Sequence, residues 1–542
     1  MRTFIHNNPF VSLLITLVCL FLYQCLNIFW GVDVVDSGWY LVCYENILGK
    51  HDCMLYSFMY YLTNLIGGIS LLLFPDMGIA GFRIMGALCI LLVCALIFIF
   101  LKDEIPVMHL LLGITLVVIC YLSMPYMFNN GILSCFLYTI AILLLYKGLK
   151  YDNSWFLILS GILVGINIFS RIPNVLGVGL CLVALFHKKL IKNSEKCAYK
   201  PCLFMGGGIV FGIVLILFLM YHLGHLSNFL ESINAAVVMG NSPSSSHPFT
   251  RLISAQLWFF INNLILFFIF LGLFVAQERI NGFNSIYLKV FWWVFSLLWL
   301  FYYIYNNHPT TIYRILWVMC VVGCLLAIYR QRAKMGLLSI LALYMLFVEV
   351  MGSNYANCHG SLPALLAAPI SSSQILRLRR SPFVVVFIFS ALFILINKGN
   401  FLDYGPIGEK KAVINCEEAK YVLTTEEKAA AINTTLVGIK PYVSQGDRLI
   451  CFPNAIMLNY LTHTLPVNGV SFPDNESNSF FPIEGTPCVL FNKFNPYGSN
   501  WKEDFFNIDT KYNFDIKSFL VKNHYKKVYE NDYFILFDNR VN

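Results

Sequence analysis

The sequence predicts a polytopic α-helical membrane protein with a C-terminal extracytoplasmic α/β domain. Of its 542 residues, 58% are apolar and only 12% are charged, whereas soluble proteins have about 45–50% apolar and about 25% charged residues. So low a charge cannot solvate a globule of this length, which excludes a soluble enzyme, a disordered protein and a disulfide scaffold. The net charge is +8, but the basic residues lie in short loops between apolar runs. Membrane lipids are therefore expected partners, and nucleic acid is not.

About 13 apolar runs of spanning or near-spanning length divide residues 1–397, the predicted transmembrane domain. The first run, 10–30, follows Arg2 and has no small-residue cleavage site after it, so we predict an uncleaved anchor. The others cover 79–101, 107–124, 131–147, 155–170, 173–187, 202–222, 256–276, 288–305, 312–329, 335–351, 361–375 and 382–397.

The loop charges predict the orientation of these spans. With the N-terminus in the cytoplasm, seventeen basic residues fall on the cytoplasmic side, and five, Lys50, Arg83, Arg171, Arg251 and Arg314, fall on the other. The positive-inside rule favours this arrangement. An odd number of spans then places the C-terminus outside, and a multi-pass protein of a bacterial inner membrane is expected.

The loop 31–78 follows the first span. Its segment Met54–Phe74 is apolar enough to cross the membrane, but doing so would put an acidic loop in the cytoplasm and Arg2 outside. We therefore predict two helices, 37–49 and 56–74, that lie along the extracytoplasmic surface. The first carries the apolar stripe typical of an interfacial helix: Tyr40, Leu41, Tyr44, Ile47 and Leu48.

Residues 398–542 have the composition of a soluble domain and alternate helix with strand. The T-x-x-E pattern at Thr424–Glu427 predicts a helix that runs towards Ile439. Further elements are predicted as a strand over 448–452, a helix over 455–462, a strand over 487–491, a helix over 515–523, and a hairpin of 526–529 with 533–537. This alternation predicts a separately folding α/β domain without catalytic residues.

Asp36 is the main candidate for chemistry. A carboxylate at the membrane surface, ahead of an amphipathic helix, can meet both a lipid-borne group and a water-borne hydroxyl. The alternative is that Asp36 only caps the N-terminus of that helix, a role that Asp favours. Position alone does not decide between the two.

Several motifs resemble the GT-C superfamily of membrane glycosyltransferases, in particular the protein mannosyltransferase and aminoarabinose transferase branch. They are Asp36-Ser37-Gly38-Trp39-Tyr40-Leu41 after the first span, the segment Tyr56–Phe74, Phe82-Arg83-Ile84, and Ser170-Arg171-Ile172-Pro173. The resemblance covers residues 1–190 and the remainder in outline. Ser37 stands where the family often has Glu, which leaves open whether Asp36 acts alone or with Asp33.

The resemblance implies transfer of a sugar from a polyprenyl-phosphate donor to an extracytoplasmic lipid, glycan or protein acceptor, with inversion. Asp36, with Asp33 as the second candidate, would be the general base that takes the acceptor proton. The phosphate needs cationic donors at the membrane surface, and Arg83, Arg171, Arg251 and Arg314 are the candidates, each of which could instead snorkel to the headgroups.

Three further segments are weaker candidates. His247 and His308 each precede a Pro and one of the arginines and could contact phosphate or sugar; the alternative is that each Pro only starts the next helix. Glu349, near the end of an apolar span, is costly to bury and so a functional hypothesis, and with Asn354 it could line an acceptor pocket.

No cofactor is assigned, although the spacing of Asp33 and Asp36 leaves a divalent cation open. Other function classes also stay open at this stage. An O-antigen ligase or polymerase shares the donor class, a transporter or flippase would move a lipid-linked or small solute, and a scaffold could keep the GT-C shape without catalysis. Ionisable residues gather at span ends rather than in mid-membrane, which disfavours a transporter.

Overall fold

The computed structural model describes most of the chain. The described residues are 7–49, 51–121, 127–192, 198–241, 250–280, 311–351, 361–375, 391–397, 403–467, 487–495 and 515–540, with 286–287, 290, 294–295, 298, 302, 388, 399–400 and 501. Six helices among them are long and apolar enough to cross a membrane. They are Pro9–Ile28, Gly78–Leu101, Asn130–Tyr151, Ile172–Lys189, Tyr199–His222 and Ile312–Gln331.

The helices of the apolar part follow each other with short connections. They are α1 (Pro9–Ile28), α2 (Asp36–Asn46), α3 (Tyr61–Leu73), α4 (Gly78–Leu101), α5 (Val107–Ile119), α6 (Asn130–Tyr151), α7 (Ser154–Asn167), α8 (Leu180–Lys192), α9 (Tyr199–His222), α10 (Leu226–Asn241), α11 (Thr250–Ile280), α12 (Thr311–Val348) and α13 (Ala367–Ile375). Two 3-10 segments, His51–Tyr60 and Ile172–Gly179, precede α3 and α8.

Several predicted spans differ from the observed helices. The predicted spans 312–329 and 335–351 correspond to the two parts of α12, which are separated by a kink at Gln331, whose backbone is not helical. The span predicted over 155–170 is α7, whose 14 residues extend only about 21 Å at 1.5 Å per residue, shorter than a hydrocarbon core of about 30 Å. Helix α10 was not predicted, and 288–305 and 382–397 lie largely outside the described residues. The count of 13 spans therefore stays a prediction.

The two predicted surface helices are present with altered bounds. The first is α2, and the second is the 3-10 segment His51–Tyr60 followed by α3. They pack tightly, because a Cβ added at Gly67 of α3 would collide with the ring of Tyr44 in α2.

The bundle has two chemically different ends. At one end Lys147 Nζ lies 3.7 Å from Glu104 Oε1, and Lys150 also pairs with Glu104. At the other end Gly78, at the start of α4, lies against the carbonyl of Glu418 in the C-terminal tail. The sequence assigns these lysines and the tail to opposite sides of the membrane, and the structure places them at opposite ends of α4 and α6. Which end is cytoplasmic stays a prediction.

The tail, residues 398–542, holds a four-stranded sheet and short helices. The sheet order is β5-β6-β8-β7, with β5 (Leu449–Phe452) parallel to β6 (Cys488–Asn492), and β8 (Phe534–Asp538) antiparallel to β6 and to β7 (Lys526–Glu530). Short pairs β1–β2 (Gly399–Asn400, Asp403–Tyr404) and β3–β4 (Ala412–Val413, Leu423–Thr424) precede it. The helices are α14 (Glu426–Ile439), α15 (Met457–Thr462) and α16 (Ile516–Lys522). The helices α14 to α16 and the strands β5 to β8 lie where the sequence predicts them, whereas β1 to β4 were not predicted. That the tail forms an independent domain stays a prediction.

One detail of the tail differs from the sequence prediction. The N-cap of α14 is Thr425, whose hydroxyl accepts a hydrogen bond from Lys428 N at 3.3 Å. The predicted capping box between Thr424 and Glu427 is therefore wrong by one residue, and the hydroxyl of Thr424 is buried instead.

Candidate active site

The turn between α1 and α2 is held by Arg83. Its guanidinium is fully buried and donates to the carbonyl oxygens of Ile28 at 3.1 Å and of Gly31 at 2.8 Å, at the C-terminal end of α1. A cation that binds these terminal carbonyls also complements the helix dipole. This placement makes Arg83 a structural anchor for the turn, which does not favour the predicted phosphate contact.

Asp33 caps α2. Its carboxylate accepts hydrogen bonds from Val35 N at 2.9 Å and Ser37 N at 2.7 Å, and the side chain is fully buried. Burial raises the pKa of Asp33, while the two N–H groups and the nearby Arg83 lower it in part. With both oxygens engaged by the backbone, Asp33 is better suited to shaping the turn than to taking a proton.

Asp36 is the first helical residue of α2, and the N-cap position is occupied by Val35. The N-cap alternative for Asp36 is therefore wrong, because Asp33 performs that function from three residues upstream. The side chain is half-buried, and the described part of the chain provides no hydrogen bond to its carboxylate. Burial, followed by repulsion from Asp33, raises the pKa of Asp36 to about 7. A carboxylate with a pKa near neutrality and a free lone pair is suited to general-base chemistry.

Aromatic side chains surround Asp36. The Trp39 ring lies 4.8 Å from that of Tyr40 and 5.2 Å from that of Tyr60, both edge-on. Tyr40 donates to Asn130 Oδ1 at 3.0 Å, which ties α2 to the start of α6. Burial raises the pKa of both Tyr40 and Tyr60, Asp36 raises it further, and Arg171 lowers it. Asp36 and Arg171 are thus both close to the same two phenols.

Arg171 lies at the break between α7 and the 3-10 segment Ile172–Gly179. A buried amide network fixes this break: Asn174 Nδ2 donates to Ser134 Oγ at 2.7 Å and to Asn167 Oδ1 at 3.1 Å, and Asn174 N donates to Arg171 O at 2.9 Å. Nη2 of Arg171 is buried and has no hydrogen-bond partner among the described residues. An aimed and unsatisfied guanidinium donor is what a phosphate-binding site requires.

Glu349 lies just after the end of α12 and is 5% exposed. Its carboxylate is within electrostatic range of Arg171, although the two form no ion pair in the described part of the chain. Arg171 is thus within electrostatic range of Glu349 on one side and of the phenols of Tyr40 and Tyr60, which Asp36 also influences, on the other.

The other predicted site residues are less well defined. Arg314 lies in the first turn of α12, and its buried Nε has no partner among the described residues. Arg251 lies in α11, with its side chain outside the described residues. His247, His308 and Asn354 also lie outside the described residues, and their predicted contacts stay predictions.

The described residues around Asp33 and Asp36 do not form a cluster of ligands for the predicted divalent cation. Among the described residues, no group of three or more His, Cys, Asp or Glu side chains could hold a metal ion. Asp33 directs both oxygens to backbone N–H groups, so it does not form a pair of free ligands with Asp36. A cation site stays a prediction.

Sequence reasoning missed Tyr60 and Asn130. Both lie far along the chain from Asp36, and each contacts a neighbour of Asp36 in α2: the Tyr60 ring lies against that of Trp39, and Asn130 accepts a hydrogen bond from Tyr40. No local pattern marks such residues.

The structure is similar to two solved structures of membrane glycosyltransferases. ArnT from Cupriavidus metallidurans bound to undecaprenyl phosphate is 11% identical, with 98% of each chain covered and a TM-score of 0.49. The oligosaccharyltransferase AglB from Archaeoglobus fulgidus, in complex with an inhibitory peptide and a dolichol-phosphate, is 10% identical, with 90% of this chain and 70% of that chain covered and a TM-score of 0.45.

A scan against protein-family models and a search of curated proteins returned no match. At this level of similarity, the assignments below depend on the geometry of the site itself.

Proposed function

We propose that this chain is an integral-membrane glycosyltransferase that moves a sugar from a polyprenyl-phosphate donor to an acceptor hydroxyl outside the cytoplasm. The observation that carries the proposal is that two groups act on the same phenols, those of Tyr40 and Tyr60. One is Asp36, a half-buried carboxylate with no hydrogen-bond donor among the described residues, and the other is Arg171, a guanidinium with an unsatisfied buried donor. Both lie at the end of a bundle whose helices are apolar enough to cross a membrane. A lipid phosphate would reach this end with its chain in the bilayer.

The reaction assigns one task to each group. Asp36 accepts the proton of the acceptor hydroxyl as the acceptor oxygen bonds to the anomeric carbon. The bond between that carbon and the phosphate oxygen breaks, and its electron pair leaves with the lipid phosphate. Arg171 donates to this phosphate as its negative charge grows. Attack from the side opposite the leaving group inverts the anomeric centre.

Other residues complete the proposed site. Arg314, Arg251, His247 and His308 are proposed to contribute further phosphate or sugar contacts. Glu349, with Asn354, is proposed to accept hydrogen bonds from hydroxyl groups of the sugar or the acceptor. The acceptor class is a lipid, a glycan or a protein of the cell envelope, and the proposed location is a bacterial inner membrane with the tail outside the cytoplasm.

A transfer assay with matched variants tests this proposal. Membranes with wild type, Asp36→Asn or Asp76→Asn are supplied with polyprenyl-phosphate sugars, and envelope lipids, glycans and proteins are analysed by mass spectrometry. Asp36→Asn keeps the side-chain size but cannot take a proton, so transfer should fall about 10²–10⁴-fold. Asp76, an exposed carboxylate in the same loop, is the control and should leave transfer unchanged.

Two results would contradict the proposal. One is transfer at the wild-type rate by correctly inserted Asp36→Asn. The other is movement of a lipid or solute across the membrane by wild type without any glycosidic bond formed, which would favour the transporter class.

A further inference from the structure

The tail binds directly to the turn that carries Asp33 and Asp36. Leu423 N donates to Phe29 O and Gly31 N donates to Leu423 O, both at 2.8 Å, so β4 pairs with the chain as it leaves α1. Further along, Met457 N donates to Val34 O at 3.0 Å. These backbone bonds join segments about 400 residues apart and lie on either side of Asp33.

A second contact holds the far end of α2. His463 lies between two carboxylates, with Nδ1 2.8 Å from Glu45 Oε1 and Nε2 2.8 Å from Glu418 Oε1. Glu45 belongs to α2, whereas Glu418 and His463 belong to the tail. An imidazolium that donates to both carboxylates joins the last turn of α2 to the tail.

Two glycines show how closely these surfaces approach. A Cβ at Gly38, in α2, would collide with the backbone N of Met457 at the start of α15. A Cβ at Gly31 would collide with the carboxylate of Asp403, and Gly31 also has a φ of +94°, which favours glycine. Such approach leaves α2 little freedom to shift against the tail.

We infer that the tail positions the catalytic base, with Leu423, Met457 and His463 as positioning residues that fix α2 at both ends and so hold Asp36 towards the substrate. This inference rests on the proposed function. The tail supplies no group to the reaction. The tail instead fixes the position of the Asp36 carboxylate, which accepts no hydrogen bond in the described part of the structure.

Chemistry explains why such support matters. Asp36 must lie within hydrogen-bond reach of the acceptor hydroxyl, and a shift of about 1 Å can cost about 10²-fold in rate. A short helix on a loop between two spans would not by itself hold a side chain to that tolerance, and supporting contacts from a folded element can.

Gly38→Ala and His463→Ala test the inference in the full-length protein. The first drives a methyl group between α2 and α15, and Gly49→Ala is its control, because a Cβ at Gly49 meets no atom within 4 Å. The second removes the bridge, and His463→Lys is its matched variant, since an ammonium group can still donate to both carboxylates. Two readouts are taken: hydrogen exchange of the amides of residues 31–46, and kcat and KM for transfer.

In Gly38→Ala and His463→Ala we expect exchange over residues 31–46 to rise about tenfold while the β7–β8 hairpin stays protected. We also expect kcat to fall about 10–100-fold at an unchanged KM for the lipid donor. Gly49→Ala and His463→Lys should behave as wild type in both readouts.

Two outcomes overturn the inference: unchanged exchange over residues 31–46, or raised exchange with a wild-type kcat. If wild type itself transfers no sugar, the proposed function fails, and the exchange data alone decide whether the tail fixes α2. If Gly38→Ala does not fold, the comparison of His463→Ala with His463→Lys tests the inference by the same two readouts, hydrogen exchange over residues 31–46 and kcat.

Discussion

The buried charge cluster around Asp403 gives a sharp prediction about stability. Asp403 pairs with Lys410, whose Nζ lies 2.6 Å from its Oδ2, and with Lys428; the Asp403 side chain is 0% and the lysine side chains 2% exposed. Asp403→Asn removes the only carboxylate of this trio and leaves two buried ammonium groups without a counter-charge. Lys410→Met instead leaves Asp403 and Lys428 as a neutral pair.

The two substitutions should differ clearly in cost. Breaking a buried ion pair so that a charge stays uncompensated costs about 3–5 kcal/mol. Losing one charged hydrogen bond from a cluster that thereby becomes neutral costs about 1.5–3 kcal/mol. We therefore expect Asp403→Asn to be about 2 kcal/mol more destabilising than Lys410→Met.

Denaturant unfolding of the full chain in detergent micelles, followed by circular dichroism, measures this difference. Although burial raises the pKa of Asp403, the two ammonium groups hold it below its ordinary value. The stabilisation is therefore present above the unfolded pKa of about 3.9 and is lost as pH falls. The gap between wild type and Asp403→Asn should accordingly narrow in acid. Equal costs for the two variants at pH 7, or a greater cost for Lys410→Met, would refute the reasoning.

Three further predictions concern the site, the tail and the topology. Arg171→Gln should lower transfer about 10²–10³-fold, the cost of losing one preorganised donor, and Arg171→Lys should recover part of it; equal activity of all three proteins would exclude the phosphate contact. Hydrogen bonds to Glu418 and Glu45 raise the pKa of His463 to about 10. The bridge should therefore stabilise the protein fully below about pH 6.5 and weaken as pH rises towards 10. The Tm of wild type should fall over that range more steeply than the Tm of His463→Ala, and parallel Tm curves would contradict the bridge. A reporter active only outside the cytoplasm should be active after Asn542 and silent at Asn193, and the reverse pattern would place Asp36 on the wrong side.

Local patterns predicted much of the chain. The apolar run of α1 and the strands and helices of the tail lie within a few residues of their predicted bounds, because hydrophobic periodicity and turn residues act over short distances. The cap of α14 was misplaced because the T-x-x-E pattern fits only Thr424, which has Glu427 three residues on, whereas the observed bond from Lys428 N goes to Thr425. The kink at Gln331 lies between the predicted spans 312–329 and 335–351, where Arg330, Arg332 and Lys334 interrupt the apolar sequence.

The candidate site was predicted only in part, for a physical reason. The position of Asp36 after the first span and ahead of an amphipathic helix made it a candidate, and the resemblance to GT-C motifs favoured the catalytic role over the capping role. The separate tasks of Asp33 and Arg83 depend on which backbone groups they reach, since a buried Arg and a phosphate-binding Arg look the same in sequence. The attachment of the tail to α2 depends on backbone hydrogen bonds, which no residue type encodes.

The pH dependence of transfer tests the central claim, that Asp36 is the general base, most directly. With its pKa near 7, Asp36 should be protonated and inactive in acid, so kcat/KM of wild type should rise about tenfold per pH unit and level off above about pH 7. Asp36→Asn should be low throughout, without this acid limb. An Asp36→Asn protein that keeps both the acid limb near pH 7 and a wild-type rate would contradict the claim.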